Sequence, residues 1–199
     1  LHKQAQAIPY DKWLTSHQPF HWFAEYYEII HDRGGFDVII GNPPYVVYTA
    51  ANFDYKLKNF DTLSTSNLYA FCIERSYYIM NNLGRFGMIV PNSSISAEKF
   101  NPLQKIITKN KISWISNYSW RPSKLFEGAD MLLSIIITVK ANEKQVHSSM
   151  YQKWYNNYRE YLFENIKYNN TTKIVIEGSI PKLPSIIYFS VIDKLQSKS

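Results

Sequence analysis

Asn42-Pro43-Pro44-Tyr45 is where this sequence places residue types that could do chemistry together. Asn42 precedes a proline, so its backbone is pushed out of the α region and held extended. Pro43 and Pro44 have fixed φ and no N–H, so the corner offers acceptors and almost no donors. That suits a substrate that donates. An exocyclic amine such as N6 of adenine is a poor nucleophile, because its lone pair is delocalised into the ring. The Asn42 side-chain oxygen and the Pro43 carbonyl could each accept one of its N–H bonds, drawing the nitrogen toward tetrahedral geometry. The lone pair is then localised for attack on a methyl group. Positioning and fixed dipoles suffice, and no base of tuned pKa is required. Tyr45 would lie on the face of the base. The blander alternative is a strand-terminating turn, since Asn-Pro is a common turn initiator.

The elements that must hold this corner follow from periodicity. Val38 to Ile40 is an apolar β-branched run, the pattern of a parallel strand covered on both faces. Gly41 allows close approach, and ligands of open α/β sheets gather at the carboxyl ends of strands. Before it, Leu1 to Gln18 reads as a surface segment or short helix. Phe20 to Ile30 has aromatic and apolar residues at a helical spacing, and His31 to Gly35 reads as a turn into the strand. After it, Tyr45 to Ser66 has no sustained period and is a candidate mobile loop over the target. A helix is predicted from Asn67 to Leu83, capped by Ser66 or Asn67 and stopped by Gly84, with Leu68, Phe71, Cys72, Ile79 and Leu83 as its apolar stripe. Phe86 to Val90 is a second buried strand ended by Pro91. Ala97 to Asn110 is a further helix, and Ile112 to Tyr118 and Leu132 to Val139 are further strands. The alternation implies an α/β sheet.

Asp37 with Asn42-Pro43-Pro44-Tyr45 resembles motif IV of the amino-group DNA methyltransferases that use S-adenosylmethionine. The wider segment, roughly Phe20 to Lys140, is similar to the gamma-class adenine-N6 enzymes, particularly those of type IIG restriction–modification proteins. It carries Phe20-His21-Trp22, Asn67-Leu68-Tyr69-Ala70-Phe71, Gly84-Arg85-Phe86-Gly87-Met88-Ile89-Val90-Pro91-Asn92-Ser93 and Leu125-Phe126. The tetrapeptide alone also occurs in protein glutamine methyltransferases; the combination is more specific. The resemblance implies the second half of a Rossmann-like methyltransferase sheet, its last strand antiparallel to its neighbour, with a mostly helical C-terminal tail. It implies that Asn42 and Pro43 orient the amine, that Pro44 and Phe71 border the cofactor, and that Phe126 stacks on a flipped adenine opposite Tyr45. Extruding a base costs a few kcal/mol, and two aromatic faces returning about 1–3 kcal/mol each offset that. Plainer readings put Phe71 on the helix's core face and Phe126 in a loop tucked into the core. His21 stands where simpler relatives carry an acidic cofactor contact.

Composition is compatible with this reading. The chain has 199 residues, 45% of them hydrophobic, which is enough for a core. Its net charge of +6 favours an anionic partner such as double-stranded DNA. The single cysteine, Cys72, excludes a disulfide framework and points to a cytoplasmic protein. The apolar run from Met131 to Val139 is too short to span a bilayer. His17 and His21 are four apart, but no Cys or carboxylate cluster completes a metal site, so none is expected. The expected organisation is a lead-in at 1–19, a partial catalytic domain at 20–140, and a polar linker at 141–149 followed by the approach to a target-recognition domain up to 199. Within that last stretch, Tyr151 to Ile166 and Ser185 to Leu195 read as helices. No Gly-x-Gly cofactor turn occurs among the 7 glycines, and the first residue is Leu1. The N-terminal half of the catalytic domain is therefore expected upstream or in a separate chain. Two alternatives stand beside an adenine methyltransferase: a non-catalytic DNA-binding remnant of a split restriction gene, and a protein-glutamine methyltransferase, whose amide substrate also donates two N–H bonds.

Overall fold

The computed structural model describes residues 8–18, 20–49, 53, 56–174 and 178–184. A six-stranded sheet is built from β1 (Phe36–Gly41), β2 (Met80–Pro91), β3 (Lys111–Tyr118), β4 (Leu133–Lys140), β5 (Gln145–Gln152) and β6 (Tyr168–Asn170). The strands lie side by side in the order β1-β2-β4-β3-β5-β6. The helices are α1 (Tyr10–His17), α2 (Trp22–Glu25), α3 (Leu68–Ile79), α4 (Ser93–Ser96) and α5 (Asn101–Thr108). β1 and β2 run parallel with α3 between them in the chain, while β4 is antiparallel to both β2 and β3. The antiparallel insertion implied by the resemblance is thus observed.

Alternation along the strands divides the core into two layers. On one face Phe86, Met88, Val90, Ile115 and Ile136 pack under Tyr69, Ala70 and Ile73 of α3 and Leu103 and Ile107 of α5. On the other, Tyr118 and Leu133 pack with Leu125, Ala129, Trp154 and Leu162 from the following loops. Pro102 sits in the first turn of α5, where its missing N–H costs nothing.

Several elements differ from expectation, each for an identifiable reason. β1 is not covered on both faces. Among the described residues it pairs with β2 alone, and Val38 and Ile40 are 58% and 77% exposed. A β-branched run reads the same in a central strand and an edge strand, because coverage comes from other elements. The helix after the corner ends at Ile79, not Leu83, since Met80 already has extended backbone (φ −90, ψ 135). Leu83 is 87% exposed, off the apolar stripe. Gly84 is a close-approach glycine rather than a helix stop: a Cβ there would lie 2.4 Å from Met80 Cγ and 3.0 Å from the Phe36 carbonyl oxygen. It sits where the β1–β2 register slips, between the pairs Phe36–Met80 and Val38–Arg85. Asn67 occupies the N-cap of α3 without a capping bond, and its side-chain amide donates to the Thr65 carbonyl instead (2.7 Å). The aromatic helix over 20–30 is broken into α2 and a π-helical turn, Glu28–Asp32. Its rings cluster near the surface, with Trp22 and Tyr26 edge-on to Phe36.

The segment expected as a polar linker, 141–149, enters β5, which pairs parallel with β3. Its Ser148 and Ser149 are buried and hydrogen-bonded, so composition alone misreads them as solvent-facing. The helix expected over 151–166 is instead the end of β5 and a 3-10 segment, Asn156–Tyr161. The helix expected at 185–195, and part of the expected mobile loop (50–52, 54 and 55), lie outside the described residues.

Candidate functional site

β1 delivers the chain to the corner and stops at Gly41. Asn42 is exposed, Pro43 buried, Pro44 exposed and Tyr45 half-buried. Among the described residues no side chain hydrogen-bonds the Asn42 amide, so its oxygen is open to an incoming donor. The Tyr45 hydroxyl donates to the Ile89 carbonyl on β2 (3.0 Å). Its ring meets Tyr69 edge-on, with centroids 6.3 Å apart. Burial, and then the nearby Tyr69, pushes the Tyr45 hydroxyl up to about 12. Beyond the corner the chain is laced to the start of α3, because the Leu68 N–H donates to the Val46 carbonyl and the Tyr48 N–H to Ser66 (both 2.9 Å). These contacts give Tyr45 one orientation while the Asn42 side chain remains open.

On the α3 side of β1 lies a cleft of about 720 Å³ lined by Pro44, Phe71, Phe36, Ile39, Leu68 and Met88, among others. Phe71 is buried against Tyr48 and Phe60. The Arg75 guanidinium lies over the Phe60 and Tyr78 rings at the same cleft. The structure therefore brings Pro44 and Phe71 to one mostly apolar cleft. Asn42 and Pro43 stand at its edge rather than in its lining. The volume falls in the range of small-molecule sites, and the aromatic wall suits a flat heteroaromatic ring.

Phe126 lies in the loop between β3 and β4, half-buried against the second core layer. Tyr45 packs against that same layer. The two rings thus border one cluster from different elements, with no direct ring contact between them. The loop is braced by an ion pair, Lys124 to Asp130 at 2.5 Å, and by the Arg121 guanidinium over Trp120 (4.1 Å). His21 is exposed beside Phe23.

A buried polar cluster lies at the end of β2, three residues past the Ile89 carbonyl that holds Tyr45. Asn92, just past the end of β2, donates through Nδ2 to Asn117 Oδ1 (3.0 Å) and Ser134 Oγ (2.8 Å). The Ser134 hydroxyl donates to Asn117 Oδ1 (2.9 Å), and Asn117 Nδ2 donates to the Ser149 carbonyl (2.7 Å). The Tyr151 hydroxyl donates to Asn92 Oδ1 (2.6 Å). Asn92, Asn117 and Ser134 are all buried. A fully satisfied network in low dielectric fixes geometry, because any shift strands a buried polar group. It ties the ends of β2, β3, β4 and β5 together below the corner. The available signal was polar residues at the ends of otherwise apolar strands. Among the described residues, no group of three or more His, Cys, Asp or Glu could hold a metal ion. None of the described helices is long and apolar enough to cross a membrane.

The chain belongs to the Eco57I restriction-modification methylase family, whose pattern matches residues 3–126. It is 28% identical over 185 residues to a putative type II restriction enzyme and methyltransferase, RM.MjaORFECS2P of Methanocaldococcus jannaschii, covering 90% of this chain and 15% of that protein. It is 35% identical over 83 residues to the type II restriction enzyme and methyltransferase RM.Eco57I of Escherichia coli, covering 38% of this chain and 8% of that one. The chain thus spans a small fraction of the length of these relatives. Its fold is similar to that of a nuclease-deletion mutant of the Type ISP restriction-modification enzyme LlaGI in complex with a DNA substrate mimic. The TM-score is 0.56 at 17% identity, covering 85% of this chain and 16% of LlaGI.

Proposed function

We propose that this chain carries the methyl-accepting side of a DNA adenine-N6 methyltransferase of a restriction–modification system, acting in the cytoplasm on double-stranded DNA. The observation that carries the reading is the corner itself. An unpartnered Asn42 amide and a run of two prolines stand at the carboxyl end of β1, beside the cleft that Pro44 and Phe71 line. Family membership supports methyl transfer, and the DNA bound by the LlaGI relative of similar fold supports a nucleic-acid partner.

In this reading the Asn42 oxygen and the Pro43 carbonyl accept the two N–H bonds of N6. They thereby localise its lone pair toward the methyl group. Tyr45, its hydroxyl tied to β2, offers a fixed face to the extruded base, and Phe126 closes on the other face. The cleft at Pro44 and Phe71 suits the adenosine of S-adenosylmethionine, which supplies an electrophilic methyl group when bound. The N6 proton leaves to water after the C–N bond forms, since none of the described residues at the corner is a carboxylate, histidine or lysine that could take it. The unit that bears the site extends through β6, because β5 and β6 continue the same sheet. An N-terminal half of the catalytic domain and a target-recognition domain complete the enzyme, in the same chain or in another.

The test uses the complete protein. Asn42→Ala should abolish methylation of adenine in duplex DNA and leave cofactor affinity nearly unchanged. A kcat within about tenfold of the parent would remove Asn42 from the role assigned here, since lost transition-state contacts of this kind cost more than that. Methyl label recovered in protein glutamine rather than in DNA would overturn the substrate.

A further inference from the structure

We propose that Arg159 is a positioning residue for the target base, holding the Phe126 loop in the attitude from which its ring closes on an extruded adenine. The inference rests on the adenine-methyltransferase reading above. It concerns a residue beyond the segment that matches the family pattern, which ends at 126.

The loop between β3 and β4 is tied firmly at its roots. The Ser119 N–H donates to the Gln152 carbonyl, and the Asn92 N–H to the Leu132 carbonyl (both 2.9 Å). Between those roots, most of its described polar contacts are internal: Arg121 N–H to Ser119 Oγ, Ala129 N–H to the Phe126 carbonyl, and the Lys124–Asp130 pair. Internal contacts fix the loop's shape but not its attitude to the rest of the molecule. Attitude is set by two things. The apolar side chains of Leu125 and Ala129 plug into the layer formed with Trp154 and Leu162. The Arg159 guanidinium donates from Nη1 to the Lys124 carbonyl (3.0 Å) and from Nη2 to the Leu125 carbonyl.

Those two carbonyls are consecutive, and they immediately precede Phe126. A planar fork that grips adjacent carbonyls removes rotation of the peptide leading into the aromatic residue. The remaining space makes that grip matter. A polar cleft of about 400 Å³ lies against Phe126, Ser123, Asn156 and Arg159, so the ring's surroundings are not close-packed. With the guanidinium removed, the loop spine has room to move. Arg159 itself is exposed, its bond to the half-buried Lys124 is exposed, and its bond to the carbonyl of the buried Leu125 is only part-buried. Losing the grip should therefore cost little global stability while loosening the ring's placement.

The experiment compares two duplexes with the complete enzyme, one with the target adenine normally paired and one with it opposite an abasic site. Extrusion is already cheap in the second. Arg159→Ala should lower kcat/KM on the paired duplex by about tenfold and on the abasic duplex by less than about threefold, because misplacement penalises the step that needs the ring most. Arg159→Lys, which keeps the charge but lacks the rigid planar fork, should fall between the parent and Arg159→Ala. Fluorescence of 2-aminopurine at the target position should rise less on binding the variant than on binding the parent. Phe126→Ala, run alongside, should show the same bias toward the paired duplex and a larger one. Cofactor affinity and melting temperature should stay near the parent's. In an active parent, equal losses on the two duplexes, or no loss on either, overturn the inference alone. A parent that leaves adenine unmethylated overturns the functional reading and this inference with it.

Discussion

Tyr45 shows how a single side chain can be both structural and exposed to chemistry. Its hydroxyl is committed to the Ile89 carbonyl and its ring packs between the two core layers. Tyr45→Phe should keep the ring and lose about 1 kcal/mol of stability, the usual net value of such a bond, measured by denaturant unfolding. Its acidity also has a consequence. Folding raises this group above the ordinary tyrosine value of 10.0 to about 12. The folded chain therefore holds a proton that the unfolded chain releases. The contribution to stability is intact below about pH 10 and is lost as pH rises through about 12. With a neutral tyrosine and an acceptor-only corner, kcat should be flat from about pH 6 to 9, where a general base would show as a slope. A titration near neutrality in the rate profile would mean that a base acts here after all. The corner was legible because prolines restrict their neighbours whatever surrounds them. Asn117 and Ser134 were not, because a polar residue at the end of an apolar strand does not by itself reveal partners on other strands.

At the level of elements, the approach to β1 is governed by backbone space more than by side chains. Gly35 has φ +122, and a Cβ there would come within 2.5 Å of the Ile79 carbonyl oxygen and 2.7 Å of the Asn81 nitrogen. This glycine is pinched between the start of β1 and the junction where α3 gives way to β2. Gly35→Ala should destabilise the fold by more than about 2 kcal/mol, through strain and backbone displacement together. Circular dichroism melts would register it, and a melting temperature within a degree of the parent's would refute it. The sequence marked a turn at this point but not its tightness. The same junction explains the misjudged end of α3. Met80 to Leu83 continue plausible helical spacing, yet Phe36 pairs with Met80 and draws the backbone into the sheet. Pairing at long range overrode the local period.

Across the described residues as a whole, the conspicuous property is one uncovered side. β1 is an edge with Val38 and Ile40 turned out, and Ile137, across Gly87 of β2 from Ile40, is 42% exposed. A shallow, almost entirely apolar depression runs over Ile40, Gly87, Ile89, Ile135 and Ile137. An open edge beside an apolar face invites strand pairing between copies. The isolated chain should therefore associate with itself in a concentration-dependent way. Ile40→Lys should shift sedimentation velocity profiles toward monomer without unfolding the sheet. A parent that stays monomeric at high concentration would show that this edge is protected by means not apparent from its exposure. Strands β1 to β4 were readable as short apolar runs, whereas β5 and β6 were not. Which strands would be central was not readable either, since that depends on partners rather than composition.

The placement of β4 also dictates an order of events. It is hydrogen-bonded to β2 on one side and to β3 on the other, yet it follows both in the chain. Until it has been synthesised, β2 and β3 share no neighbour, and the Asn92–Asn117 pair lacks the Ser134 hydroxyl that bonds to both. The β1–α3–β2 unit, with the Asn42 corner at its tip, is by then fully outside the ribosome and free to form, since chains emerge and fold from the N-terminal end. The strand that completes the sheet also closes the loop that carries Phe126. During translation, the Asn42 corner can form before the loop that carries Phe126 is closed.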